Sequence, residues 1–256
     1  MFQKKYFMVF DCEGTKDEAF FGAGKDDKNQ LPYDLSGVII DRQGNHVERF
    51  VYACKEVLAN GELMASAYYG HKIPEYYDRM FAGEIKPLTA SEIFTELANL
   101  IDKYDLSDIY AYNVDYDINA LKNLFQRYRR KHGFNRAAAE KVCALNPKDI
   151  MAAAVYAFCG PRKYLKFAKE NGGISPNNNV KYGAEIMYRY LFDLPEFVEE
   201  HKGIDDAIIE AEILVKIWKR KKKVHADPAH PYFYSTVNAL CKHDNGKRRG
   251  RPRKSA

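Results

Sequence analysis

The sequence has no long apolar run, and its cysteines follow no metal-binding or disulfide pattern. No stretch approaches the roughly 18 apolar residues that a membrane-spanning helix needs, so we expect no membrane association. The N-terminus enters a strand-like segment directly, which predicts a chain without a cleaved leader. The five cysteines are Cys12, Cys54, Cys143, Cys159 and Cys241. An odd number without a close pair excludes a disulfide framework and a cysteine-based zinc site, and favours a soluble protein of a reducing cytoplasm.

There is no internal repeat, but aromatic and basic residues are plentiful. The 256 residues are 46% hydrophobic and include 15 Phe and 19 Tyr, which is enough to fill a core. The net charge of +5 is concentrated in runs at 127–131, 219–223 and 247–254. A single basic run is usually a solvated face, whereas three on one chain indicate contacts with phosphate. We expect one compact domain over residues 1–223 and a polar, basic tail over 224–256.

The apolar pattern predicts an α/β fold with a mixed five-stranded sheet and helices on both faces. The expected strands are 6–12, 33–41, 47–54, 109–112 and 141–145. The first three form an antiparallel meander, because a short turn at 41–45 joins the second and third. The remaining strands are joined through helices, so we expect them to be parallel.

Four helices are predicted from apolar residues at helical spacing. Thr89 and Glu92 have the spacing of a capping box at the start of the first. The other three are expected at 118–130, 180–191 and 205–218.

Acidic residues follow the first predicted strand in an alternating pattern. Asp11 and Glu13 stand two positions apart, and side chains at i and i+2 of a strand project to the same side. Two such carboxylates can share a divalent cation, and hard oxygen ligands suit Mg²⁺ or Mn²⁺. Such a pair is also common as ordinary surface charge, so a metal site cannot be inferred from these two residues alone.

Two later segments add the same chemistry. Asn113, Asp115 and Asp117 follow the predicted strand 109–112; Asp115 could cap the next helix, leaving Asp117 to face the cleft. His201 precedes Asp206 by five positions at the start of the last helix. Imidazole titrates near neutral pH, so His201 could take a proton from an attacking water molecule.

Three motifs together resemble those of the DEDDh-type 3′–5′ exonucleases of the ribonuclease H-like superfamily. The first family motif, Asp-x-Glu-x-Thr, matches residues 11–15, and the second, Asn-x-x-aromatic-Asp, matches residues 113–117. The third, His-x-Ala-x-x-Asp-Ala, matches residues 201–207, except that Gly203 replaces the usual alanine. The resemblance covers roughly residues 6–218 and implies a ribonuclease H-like fold.

The resemblance also implies a role for each matched residue. Two Mg²⁺ or Mn²⁺ ions would be held by four carboxylates, those of Asp11, Glu13, Asp117 and Asp206. His201 would activate the water, which makes these five the expected catalytic residues. Thr15 and Asn113 match positions that contact the terminal nucleotide, although a threonine after a strand often makes only local hydrogen bonds.

Other candidate residues have two interpretations. For Asp149 we favour an N-terminal helix charge over a role in the site. Phe20 and Phe21 could stack on a base or pack in the core. Residues 247–254 resemble an AT-hook, in which Arg249 and Arg251 would enter the minor groove of A·T-rich duplex DNA; general attraction to phosphate is the alternative.

These patterns predict a metal-dependent 3′–5′ exonuclease acting on single-stranded or frayed DNA ends and releasing nucleoside 5′-monophosphates. Its partner is nucleic acid, and no oligomeric state follows from the sequence. The alternatives are a 3′–5′ exoribonuclease with the same residues, or a non-catalytic DNA-binding protein that acts through its tail. An acidic strand end with only a structural role would show no dependence on divalent metal.

Overall fold

A six-stranded mixed sheet lies at the centre of the fold. The computed structural model describes residues 5–22, 29–159 and 161–220. The strands are β1 (Tyr6–Lys16), β2 (Gln30–Asp41), β3 (His46–Cys54), β4 (Lys86–Leu88), β5 (Asp108–Ala111) and β6 (Asn146–Asp149). Their order across the sheet is β4-β3-β2-β1-β5-β6. Strands β1, β2 and β3 pair antiparallel, and the pairs β3–β4, β1–β5 and β5–β6 are parallel.

Helices cover both faces of this sheet. They are α1 (Glu18–Phe21), α2 (Lys55–Leu58), α3 (Gly61–Met64), α4 (Ile73–Phe81), α5 (Ala90–Tyr104), α6 (Val114–Tyr128), α7 (Arg136–Cys143), α8 (Ile150–Phe158), α9 (Pro161–Glu170), α10 (Ala184–Phe192) and α11 (Gly203–Arg220). A short 3₁₀ helix occupies Gly70–Lys72. Helices α2 to α7 contribute to the core on one face, and α8 to α11 contribute to the core on the other.

Strand β1 is central because both of its sides are apolar. Met8 and Phe10 point into the core beneath α2 to α7, whereas Phe7 and Val9 point into the core beneath α8 to α11. The ring of Phe7 lies 4.5 Å from that of Trp218 on α11, measured between centroids. Because side chains alternate along a strand, the residues that continue the Phe7 row also face α11.

The predicted mixed α/β architecture is confirmed, with six strands instead of five. The missed strand, β4, has three residues and contains Pro87, so it is too short to show a periodic pattern. The predicted capping box of α5 is confirmed, since the Thr89 side chain accepts from the Glu92 backbone amide and the Glu92 side chain accepts in return.

The prediction of a strand at 141–145 is wrong. This segment belongs mainly to α7, which Asn135 caps by accepting a hydrogen bond from the Ala138 amide. Three consecutive alanines favour a helix, and the buried residues of α7, Ala138, Ala139 and Val142, follow helical spacing. The strand predicted there occurs directly afterwards, as β6.

The helix predicted from residue 180 begins four residues later. Val180 instead forms an isolated antiparallel bridge with Ile174, across the turn at 175–179. Within the described residues, no helix is both long and apolar enough to cross a membrane. The predicted tail, with its AT-hook-like segment 247–254, lies outside the described residues.

Candidate active site

A cleft of about 710 Å³ opens beside the second half of β1. Its walls come from β1, from the segment between α3 and the 3₁₀ helix, from the start of α6, and from α11 with the segment before it. Asp11, Glu13, His201 and Asp206, four of the five predicted catalytic residues, line this cleft. The sequence positions are far apart, so the fold alone brings them together.

Asp11 and Glu13 reach the cleft by continuing the row of Phe7 and Val9 along β1. Asp11 is paired across the sheet with Ser36, and Glu13 with Asp34, both on β2. The register shifts between Glu13 and Gly14, so regular pairing is interrupted directly after the two carboxylates. Both side chains therefore face α11 at a point where apolar packing has ended.

Asp206 arrives from the opposite wall, in the first turn of α11. One ligand atom from each of Asp11, Glu13 and Asp206 lies within 4.8 Å of the other two. The Oδ1 atom of Asp206 is buried and has no hydrogen-bond partner among the described residues. A buried oxygen without a partner is costly, so this atom is available for a ligand.

Burial and mutual repulsion raise the pKa of all three carboxyl groups. For Asp11 the pKa rises well above its usual value, through burial first and then the charge of Asp117. Burial, followed by the charge of Asp34, raises the pKa of Glu13 to about 9. Burial and the charge of Glu199 raise the pKa of Asp206 to about 8. A cation would relieve this repulsion, so the residues fit a divalent metal with oxygen ligands.

Asp117 lies behind this group, in the first turn of α6. Its Oδ1 accepts a hydrogen bond of 3.0 Å from the backbone amide of Cys12, and its side chain is buried. Its charge acts on Asp11, but it is not among the residues that line the cleft. The predicted metal-binding role of Asp117 stays a prediction.

His201 lies on the segment before α11, with a backbone φ of 50°. Its ring stacks on that of Tyr69, with centroids 4.8 Å apart and planes 18° apart. Its carbonyl accepts a hydrogen bond of 3.1 Å from the Lys72 ammonium group. Burial and the charge of Lys72 lower the pKa of His201, so the ring is neutral at pH 7 and can accept a proton.

The two predicted nucleotide contacts do not line the cleft. The Thr15 hydroxyl is buried and bonds to the carbonyl of Leu63, with the Ser66 hydroxyl 2.6 Å away. Asn113 is exposed, and its backbone amide donates to Asp149 at 3.3 Å. Thr15 thus joins β1 to the end of α3 and the segment after it, and substrate contact by Thr15 or Asn113 stays a prediction.

The other candidates have different outcomes, and Asp149 takes the structural interpretation. Asp149 caps α8, because its Oδ1 accepts from the Met151 and Ala152 amides at 2.8 and 3.2 Å. Phe21 packs against the core beneath α2 to α7, and Phe20 lies under the Arg127 guanidinium at 4.8 Å. Asp115 is exposed.

Sequence reasoning missed Glu210, which also lines the cleft. It follows Asp206 by one helical turn on α11, and its Oε2 accepts a hydrogen bond of 3.0 Å from the Tyr112 amide. Burial, then the charges of Asp117 and Asp206, raise its pKa well above the usual value. The signal was an acidic residue at i+4 in an otherwise apolar row.

Asp34 is a second buried acid that sequence reasoning missed. It lies on β2 opposite Glu13 and accepts hydrogen bonds from the Tyr76 hydroxyl at 2.6 Å and the Ser36 hydroxyl at 2.5 Å. A Cβ atom on Gly203 would lie 3.2 Å from Asp34 Oδ2 and 3.2 Å from Ser36 Cβ. Glycine at this position, where the resembled family has alanine, therefore leaves room for Asp34.

Comparisons with known proteins show the fold alone. No protein-family model matches the sequence, and no curated protein matches it. Escherichia coli exonuclease I, solved in complex with a 5cy-dT13 oligonucleotide, has a TM-score of 0.51 and 15% identity over 91% of this chain and 42% of that chain. Exonuclease I from Methylocaldum szegediense has a TM-score of 0.51 and 14% identity over 86% of this chain and 42% of that chain.

A third structure, exonuclease I without ligand, has a TM-score of 0.50 and 14% identity over 91% of this chain and 44% of that chain. The matched fold is ribonuclease H-like, as predicted. This chain spans less than half the length of the exonuclease I chains that it matches.

Proposed function

We propose that this protein is a metal-dependent 3′–5′ exonuclease that hydrolyses phosphodiester bonds at the 3′ ends of single-stranded or frayed DNA and releases nucleoside 5′-monophosphates. The observation that carries the proposal is the meeting of Asp11, Glu13 and Asp206 within 4.8 Å, in a cleft that His201 also lines. A fold maintained only for structure has no need for three repelling carboxylates at one buried point.

The metal ligands in this proposal are the four carboxylates of the resemblance. Asp11, Glu13 and Asp206 would hold Mg²⁺ or Mn²⁺ from the cleft side, and Asp117 would complete the set from behind. Two bound divalent ions would stabilise negative charge on the scissile phosphate and make water a better nucleophile at neutral pH.

His201 would act as the general base. A neutral imidazole can accept the proton that the attacking water loses, and the depressed pKa of His201 keeps the ring neutral at pH 7. Stacking on Tyr69 restricts the tilt of the ring, and the bond from Lys72 to the His201 carbonyl holds its backbone. Both contacts would reduce the reorganisation needed in each turnover.

DNA is favoured over RNA by the structural neighbours and by the tail. Exonuclease I structures hold dT13 and dA16 oligonucleotides. Arg249 and Arg251, in the AT-hook-like segment, would hold the enzyme near A·T-rich duplex DNA. Thr15 and Asn113 remain candidate contacts to the terminal nucleotide.

The test is mononucleotide release from a 3′-labelled DNA strand, with Mg²⁺ or Mn²⁺ and with EDTA. We expect the protein to release mononucleotides only when metal is present. A circular strand should yield none, and the Asp11→Asn variant should release none from any strand. An RNA strand of matched sequence distinguishes a DNA exonuclease from an exoribonuclease. Faster release from RNA than from DNA would favour the exoribonuclease. If the protein binds DNA through its tail but shows no metal-dependent hydrolysis, the proposal that it is an enzyme is wrong.

A further inference from the structure

A second group of metal-ligating side chains lies beside the carboxylates of the cleft. One ligand atom from each of Glu199, His201 and Asp206 lies within 4.8 Å of the other two. The group shares Asp206 with the set of Asp11 and Glu13, but it adds an imidazole nitrogen and a further carboxylate. Its donors are therefore oxygen, nitrogen and oxygen, whereas the first set is entirely oxygen.

The spacing within this group fits a shared cation better than a direct hydrogen bond. Glu199 Oε2 lies 3.8 Å from His201 Nδ1. Nitrogen-to-oxygen hydrogen bonds have their heavy atoms about 2.7–3.2 Å apart, so this pair is not bonded directly. Two ligands that each lie about 2.1 Å from one ion can be up to about 4.2 Å apart, which includes the observed distance.

The third member, which the two sets share, has an oxygen atom without a partner. The Asp206 side chain is 5% exposed, and its Oδ1 has no hydrogen-bond partner within the part of the chain that the structure describes. Buried carboxylate oxygens are normally paired, so an atom left without a partner at a cleft indicates a bound ligand.

The segment that carries Glu199 and His201 is held on both sides. The Glu199 amide donates to Glu185 Oε2 at 3.0 Å, and the His201 carbonyl accepts from Lys72 at 3.1 Å. The Tyr69 ring covers one face of the imidazole. These contacts place the donors before any ion arrives, which lowers the ordering cost of binding.

We propose that Glu199, His201 and Asp206 form a transition-metal site, which shares only Asp206 with the all-carboxylate set and takes a borderline ion such as Zn²⁺. Imidazole suits Zn²⁺, whereas Mg²⁺ prefers an all-oxygen environment. The consequence for hydrolysis rests on the proposed function. An ion here adds positive charge to the ring that would serve as the base, so Zn²⁺ inhibits turnover in Mg²⁺.

The experiment is a titration of the EDTA-treated full chain with Zn²⁺ alone, in competition with a chromophoric chelator and without nucleic acid. Glu199→Gln and His201→Ala should each lower the Zn²⁺ affinity of one tight site at least about tenfold, because losing even a partner of a metal ligand costs about that much. The matched control is Glu200→Gln, since Glu200 is an exposed neighbour paired with Lys202 at 2.9 Å, and it should bind like the parent. Far-ultraviolet circular dichroism verifies that each variant is folded.

Asp11→Asn separates the two sets of ligands. It should keep the tight Zn²⁺ site while losing Mg²⁺-dependent release of mononucleotides. Unchanged Zn²⁺ affinity in Glu199→Gln, or loss of the site in Asp11→Asn, would overturn the inference. If the parent protein hydrolyses no strand but Zn²⁺ binding follows the expected pattern, the exonuclease proposal fails and the metal site stands.

Discussion

Two helices each bring an aspartate to β1 from their first turn, and the two aspartates differ in how the fold uses them. Asp117 on α6 is bonded to the strand, since its Oδ1 accepts from the Cys12 amide at 3.0 Å. Asp206 on α11 is buried as well, but its Oδ1 has no partner among the described residues. The Oδ1 atom of Asp117 is therefore engaged in holding the fold together, whereas that of Asp206 is available for a ligand.

The difference follows from what each helix faces. The Asp117 carboxylate meets a backbone amide of β1, which needs an acceptor because it is buried. Asp206 meets the side chains of Asp11 and Glu13, which are acceptors when ionised and cannot donate to it. A carboxylate among carboxylates can be satisfied only by protons, water or a cation.

The largest expected effect comes from Asp206→Asn. If Asp206 holds a metal ion, this variant should lose at least about a thousandfold in mononucleotide release, because several kcal/mol of charge stabilisation disappears. The metal-free protein should not lose stability at pH 7, because the pKa of about 8 leaves Asp206 mostly protonated and asparagine is close in shape to the protonated acid. Asp205→Asn is the matched control, and release from it should match the parent. An active Asp206→Asn variant would contradict the proposed role.

The next effect separates the two functions of Asp117. Asp117→Ala should lower the free energy of unfolding by about 1–3 kcal/mol, since the buried Cys12 amide loses its acceptor. Asp117→Asn keeps an acceptor oxygen, so it should remain close to the parent in stability while losing activity if Asp117 is also a ligand. Urea denaturation and mononucleotide release are the two measurements. Equal stability of both variants would mean that the Cys12 bond is unimportant.

A smaller effect concerns pH. In the metal-free protein the pKa values of Asp206 and Glu13 are raised to about 8 and about 9, so the folded state binds more protons than the unfolded state. Their contribution to stability is therefore fully present below the unfolded pKa values, near pH 4, and is lost as the pH rises toward 8 and 9.

Thermal unfolding in EDTA between pH 5 and 9 measures this loss. We expect the Tm to fall by a few degrees with rising pH, and to fall less in Asp206→Asn. Mg²⁺ should reduce the fall in the parent protein, because the ion stabilises the ionised carboxylates. A Tm difference between parent and variant that does not change with pH would show that Asp206 ionises normally.

The smallest effect is expected from Gly203→Ala, which disturbs α11 and leaves α6 unchanged. The added Cβ would lie 3.2 Å from Asp34 Oδ2, and Asp34 is held in place by Tyr76 and Ser36. We expect a loss of about 1 kcal/mol in stability and a severalfold fall in activity as Asp206 is displaced. The Ser36 Cβ atom, also 3.2 Å from the added atom, limits the space further, and urea denaturation and mononucleotide release measure the two effects. A more stable single variant would show that α11 adjusts freely.

Local sequence patterns correctly predicted several secondary-structure elements, including the strand that carries two residues of the site. The alternation along β1 correctly placed Asp11 and Glu13 on one side, and the spacing of Thr89 and Glu92 correctly predicted the cap of α5. The strand prediction for 141–145 is wrong because a short apolar run fits a strand and a helix equally well. Its true state depends on the alanines before it and on packing against α5.

The missed acids show what spacing does not reveal. Glu210 and Asp34 belong to no motif. Each is buried and accepts a hydrogen bond from a residue distant in sequence, Glu210 from the Tyr112 amide and Asp34 from the Tyr76 hydroxyl. Glu199 precedes His201 by two positions and lies outside the third motif, which covers residues 201–207. The tertiary structure places these three carboxylates beside the predicted set, since Glu199 and Glu210 line the cleft and Asp34 is paired with Glu13 across the sheet.

The sequence by itself determined the mixed α/β class, the strand that carries Asp11 and Glu13, and the candidate acids, because these depend on residue type and on short-range periodicity. The tertiary structure decided which oxygen atoms are already bonded and which remain available, since hydrogen-bond partners such as Cys12 for Asp117 come from more than a hundred residues away. Burial is likewise a property of the packed chain, and it is burial that raises the pKa of these acids and makes a cation favourable among them.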